Sequence, residues 1–147
     1  MPIVNEWLVQ NRVVLSRLQG VVLPEEIKRS NIEIINQCKS MKDKSLIHGI
    51  IDMRHADVPI KSINLREVSA LLNKDSSSEL NMGWMIAISE NRLLNFVFSI
   101  AMSIYSGRIR IFKTLEEAIT FLQDVDSTLP TIPSIPTLSN TVETTAD

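Results

Sequence analysis

The sequence predicts a mixed α/β domain, a mostly parallel sheet of about five strands with an N-terminal hairpin and four helices. Three observations lead there. β-branched-rich runs of strand length alternate with stretches whose apolar residues recur at helical spacing. The elements run β, β, α, β, α, β, α, β, α, and strands separated by helices imply right-handed crossovers and parallel pairing, with one antiparallel strand at the edge. At 147 residues, 44% hydrophobic and 22% charged, the composition suits one such domain with length to spare.

Each element has its own signal. Ile3 to Val9 and Arg12 to Val22 flank Gln10-Asn11, a polar break suited to closing a hairpin. From Pro24, a residue that fits a first helical position, Ile27, Ile32, Ile34, Ile35 and Cys38 recur among Glu, Lys, Asn and Gln until the polar string Lys39 to Ser45. Leu46 to Met53 is a short apolar run suited to a buried strand. Asn64 with Glu67 resembles a capping box, and Leu65, Val68, Leu71 and Leu72 mark a second helix behind it. Gly83 to Ser89 reads as a strand, Arg92 to Ser106 as a third helix stopped at Gly107, and Ile109 to Phe112 as a last strand. Thr114 with Glu117 is a capping box proper, opening a helix that buries Leu115, Ala118, Ile119 and Leu122.

Charge divides the chain. All fifteen Lys and Arg lie in residues 1–123 with thirteen acids, whereas residues 124–147 carry four acids and no base. Pro130, Pro133 and Pro136 stand among Ser and Thr, and too few apolar residues remain to offset the entropy of ordering this stretch. The expected organisation is therefore an α/β domain over 1–123 and a disordered acidic Pro/Ser/Thr-rich tail over 124–147, a spacer or a ligand for an aromatic-lined groove. A net charge of -2 is too balanced for an electrostatically driven nucleic-acid binder. With Cys38 alone no internal disulfide forms, and the N-terminus lacks a secretory signal pattern, so the expected location is the cytoplasm.

Chemical motifs are scarce. His48 and His55 sit seven apart across a strand end and Cys38 ten residues before, a spacing that makes no metal site; each His reads as a strand-end residue with one polar partner. Ser89 lies where a nucleophile elbow would, but AISEN lacks the glycines such a turn needs, and Ser89 reads as a helix cap. No glycine-rich phosphate cradle follows a strand, so neither cofactor nor enzymatic activity is expected. Asp52 stands out, because a carboxylate inside the apolar run HGIIDMR needs a partner. Arg54 shares its face by period two, about 7 Å along, and the carboxyl end of a parallel strand is where open α/β sheets place their sites. The plainer reading has Asp52 brace the following loop.

The third helix is apolar on nearly every face from Leu93 to Tyr105. Thirteen residues reach about 20 Å, short of the roughly 30 Å of a hydrocarbon core, so it does not span a membrane. Such a helix is either deeply buried or presents a side to another chain, and a homodimer through it is expected, with Asn95, Ser99, Met102 and Ser106 as the polar stripe toward solvent or the partner's rim.

With this order of elements, the body resembles the STAS domain in its SpoIIAA-like branch, the family of bacterial anti-sigma factor antagonists and sulphate-transporter tails. The resemblance covers residues 3–123 and rests on a hairpin ending RLQGVVLPEEI, the strands GIIDMR and GWMIAIS, and the closing pattern RIRIFKTLEEAITFL. Members of the best-known branch carry an Asp-Ser-Ser-Gly-Leu motif whose first Ser is phosphorylated by a partner kinase. The corresponding stretch is Lys61-Ser62-Ile63-Asn64-Leu65, with Lys61 for the Asp, Asn64 for the Gly, and a loop from Asp52 longer by one residue. The resemblance puts Ser62 at the phosphoacceptor position; from the residues alone it is a loop hydroxyl outside a helix N-terminus. It implies a non-enzymatic regulatory module that binds a protein partner through Asp57, Lys61, Ser62 and Asn64. The fold class is also similar to the CRAL-TRIO lipid-binding domain, implying as an alternative a small apolar ligand or lipid held around Met85, Ile86, Phe96 and Phe98.

Overall fold

The computed structural model describes residues 3–39, 45–57, 82–96, 99 and 108–132. The helix expected over 65–72, most of the third helix and the tail beyond 132 lie outside them. The described elements are β1 (Ile3–Val9), β2 (Val13–Val21), α1 (Pro24–Lys39), β3 (Ile47–Asp57), β4 (Met82–Ile88), β5 (Arg108–Phe112) and α2 (Leu115–Val125). They form one five-stranded sheet in the order β1-β2-β3-β4-β5, with β1 antiparallel to β2 and the rest parallel.

The hairpin closes where the polar break stands. Arg12 N–H donates to the Val9 carbonyl at 2.9 Å, and Asn11 takes a left-handed φ of 64°, which Asn tolerates better than most residues. In α1 the missing side-chain cap at Leu23 is made good by Glu26, whose carboxylate accepts the Leu23 N–H at 2.8 Å. At the other end of the chain the capping box is complete, with Thr114 Oγ1 accepting Glu117 N–H and Glu117 Oε1 accepting Thr114 N–H.

A strand order that advances one step at a time through right-handed crossovers puts every connecting helix on one face of the sheet. Ile27 of α1 and Leu94 of the helical segment 92–96 do pack together there, against Leu18, Val22, Met53 and Ala87. Helix α2 follows the last strand and takes the opposite face. Leu115, Ala118, Ile119 and Leu122 bury against Val13, Leu15, Ile50, Ile86 and Ile88, each fully buried large side chain contributing about 1.5–3 kcal/mol gross.

Several expectations need correcting. The packed body does not close at residue 123: Ile132 is 6% exposed and joins the α2-face core with Leu129 against it, because the segment after α2 supplies apolar cover that an 11-residue helix cannot give alone. Strand β3 runs on to Asp57 instead of stopping at Met53, paired with β2 through Val21. Asn91, not Ser89, caps the segment at 92–96, its Oδ1 accepting Leu93 and Leu94 N–H, while Ser89 Oγ, two residues before, accepts Asn91 N–H. On the polar stripe of that helix, Ser99 is exposed and donates to the Asn95 carbonyl, but Asn95 itself is half-buried; Met102 and Ser106 lie outside the described residues.

Candidate functional site at the carboxyl end of the sheet

The carboxyl ends of β2 to β5 share one rim, and β3 brings charge to it. Asp52 pairs across the sheet with Arg17 on β2 and Ile88 on β4. Beyond it the register slips: two steps on β2, Arg17 to Gln19, face three on β3, Asp52 to His55. A bulge of this kind turns the chain locally and re-aims its side chains. Arg54 thereby closes back on Asp52, its N–H and Nε donating to Oδ1 at 3.1 and 2.9 Å and its Nη2 donating to Oδ2 at 2.8 Å.

Burial pushes the Asp52 pKa up, but the hydrogen bonds and charge of Arg54, with His55 beside it, outweigh that and hold the carboxyl below its usual 3.8. The same bonds raise Arg54, aided by the fields of Glu116 at the start of α2 and Glu90 after β4. Both carboxylate oxygens are engaged, so the pair offers a fixed guanidinium edge and a shaped surface; it holds no free base for proton transfer. Beyond β4 the rim continues through buried Ser89 and exposed Glu90 into the segment 92–96, whose Leu93 and Phe96 are 53% and 61% exposed. Asp57 is exposed at the tip of β3, its carbonyl accepting Val22 N–H at 3.3 Å. Lys61, Ser62 and Asn64 lie outside the described residues.

A second cluster lies at the opposite end, under the C-terminus of α2. His48, 0% exposed, accepts Trp84 N–H at Nδ1, 2.9 Å, which leaves its proton on Nε2 to donate to Asp126 Oδ2, also 2.9 Å. Arg12 Nη2 meets the same oxygen at 2.9 Å, and Arg12 Nε donates to the Leu46 carbonyl. Burial dominates at His48 and lowers its pKa from 6.5; Asp126 pulls it up and Arg12 and Arg108 push it down. Burial would raise Asp126, yet the bonds from Thr128 and His48 and the Arg12 charge bring it down to about 2. The expected single polar partner for His48 is thus two, and His55 is exposed.

Among the described residues no group of three or more His, Cys, Asp or Glu is arranged to hold a metal ion, and Cys38 is a free, buried thiol that burial makes harder to ionise. No described helix is long and apolar enough to cross a membrane. Of the residues expected to line a site for an apolar ligand, Ile86 packs on the α2 face and Phe96 is exposed on a segment whose Leu94 joins the opposite face, while Phe98 lies outside the described residues.

This architecture has a solved counterpart. The chain is similar to the crystal structure of an uncharacterised protein of the DUF3478 family from Shewanella loihica PV-4, described as having a SpoIIAA-like fold, with a TM-score of 0.55 over 82% of this chain and 91% of that one at 16% identity. The chain has a SpoIIAA-like fold. No family model and no curated protein matches it. Within the SpoIIAA-like fold, Asp52, Arg54 and Asp57 occupy the carboxyl end of the third strand in sheet order. Sequence reading missed Asp126 and Arg12 as members of a buried cluster, since they stand 114 positions apart and carried no motif. The adjoining Gly83 was the one available signal: a Cβ there would lie 2.5 Å from His48 Cε1 and closer still to Nδ1.

Proposed function

We propose that this SpoIIAA-like domain is a non-enzymatic regulatory module that binds a protein partner with the carboxyl rim of its parallel strands. The observation that carries the reading is the saturated Asp52–Arg54 ion pair fixed at the carboxyl end of β3, with Leu93 and Phe96 exposed on the segment that follows β4. A fixed arginine and exposed large apolar side chains are residue types that protein interfaces bury at their centres, whereas a carboxylate with both oxygens engaged is ill placed for acid–base catalysis. Asp57, Lys61, Ser62 and Asn64 are the further partner contacts in this reading. Ser62 is the candidate phosphoacceptor, where a phosphate would set about -1.5 to -2 charges beside Lys61 and change partner binding more than local fold.

The test is binding by full-length protein of a partner first identified by crosslinking from residue 93 or 96. Leu93→Asp with Phe96→Asp, and separately Lys61→Glu with Ser62→Trp, should each release that partner while circular dichroism stays unchanged. Retention of the partner by both double variants sinks the reading. Self-association through the same rim would show in sedimentation equilibrium as a mass above 16.6 kDa that the Leu93/Phe96 variant restores to the monomer value.

A further inference from the structure

The buried cluster at the amino end of the sheet plays no part in that surface, yet it holds a segment that has no helix or strand of its own. We propose that Arg12, His48 and Asp126 form an acid-released latch that fastens the C-terminal segment 126–132 across the sheet. The fastening has two kinds of contact. Asp126 binds His48 and Arg12, and Arg12 Nη2 also donates to Thr128 Oγ1 at 2.9 Å. Leu129 and Ile132 then seat in the α2-face core beside Leu8 and Val9, and Gln123 Nε2 reaches the Pro130 carbonyl at 3.2 Å.

Acid sensitivity follows from the ring's two bonds. A proton can join His48 only at Nδ1, where the Trp84 N–H already points from 2.9 Å, and two N–H groups cannot face each other across that gap. With no exposure, the closed ring has no water to turn to. Among the described residues the charges that face it are Asp126 from the end of α2, Arg12 from the hairpin turn and Arg108 from β5; the first favours an imidazolium, the other two oppose it, and burial decides for the neutral ring. Once the segment lifts, His48 meets water and titrates near its ordinary 6.5. The open form therefore binds a proton more readily than the closed form as pH falls below 6.5, and opening rises by up to about tenfold per pH unit until the closed-state pKa is reached. Asp126 remains ionised throughout, since it titrates at about 2. Release uncovers the apolar surface that Leu129 and Ile132 shield.

Hydrogen exchange of the full chain at pH 7 and pH 5, corrected for the intrinsic chemical rate, reads the latch directly. Peptides covering 124–132 should lose protection by about tenfold or more at pH 5 while those covering β3 keep theirs. In His48→Gln, whose amide can accept from Trp84 and donate to Asp126 without titrating, protection of 124–132 should be the same at both values. Equal protection of the wild-type segment at both pH values, a parallel loss in β3, or an unchanged pH response in His48→Gln each overturns the proposal. Should that variant not fold, nitrogen-15 spectra of the wild-type imidazole decide: a proton on Nε2 at pH 7 supports the latch, and one on Nδ1 overturns it.

Discussion

Gly83→Ala puts the packing around His48 to a quantitative test. The added methyl would stand 2.5 Å from Cε1, nearly 1 Å inside ordinary van der Waals contact, and nearer still to Nδ1. The ring cannot give way cheaply, because Trp84 N–H holds one nitrogen at 2.9 Å and Asp126 the other at 2.9 Å. A shift of about 1 Å would stretch either bond past hydrogen-bonding range. Overpacking of this kind costs about 1–3 kcal/mol, and losing a neutral or charge-assisted hydrogen bond adds about 1–3. The expected loss is therefore about 2–6 kcal/mol, a large part of the roughly 5–15 available to a domain. Urea unfolding followed by tryptophan fluorescence measures it, and Gly49→Ala is the control, since its Cβ would meet only Met85 Sδ at 3.8 Å and should cost under about 1 kcal/mol. In a His48→Ala background the Gly83→Ala penalty should shrink to below about 1 kcal/mol. A Gly83→Ala protein within about 1 kcal/mol of wild type, or the same penalty with the ring removed, refutes the reasoning.

Arg54→Met strands the buried Asp52 carboxylate and should cost about 2–3 kcal/mol at pH 7, discounted from the cost of a fully buried pair for the partial exposure of Arg54. With Arg54 present, Asp52 stabilises the fold above its unfolded pKa of 3.8 and that contribution is lost as pH falls below it; without Arg54, burial raises the folded pKa, so the deficit should narrow between pH 7 and pH 4 in urea midpoints. Thr114→Ala removes one half of the capping box of α2 and should cost about 1 kcal/mol, with Thr114→Ser recovering most of it in thermal unfolding. Asp126, held at about 2, stabilises the wild type above 3.8 and loses that contribution between 3.8 and 2, so Asp126→Asn should flatten the stability profile across this interval while lowering stability at pH 7.

Local patterns determined most of the fold. The β-branched runs, the Gln10-Asn11 break, the Pro24 start and the Thr114 to Glu117 box each depend on residues within a few positions of one another, and monotonic right-handed crossovers then assign the helices to faces. Asp52 with Arg54 was legible for the same reason, being two residues apart on one strand, although the bulge that lets the Arg54 N–H turn back on the carboxylate is set by pairing with β2. The tertiary structure alone decided the fate of residues 124–132. By composition they belong with an acidic, proline-rich tail, too poor in apolar groups to fold unaided. Asp126 stays because the sheet presents Arg12 and His48 to it, and Ile132 because α2 leaves part of the core uncovered. Such contacts join residues up to 114 positions apart, and no local propensity encodes where chain closure will bring a carboxylate and an imidazole together.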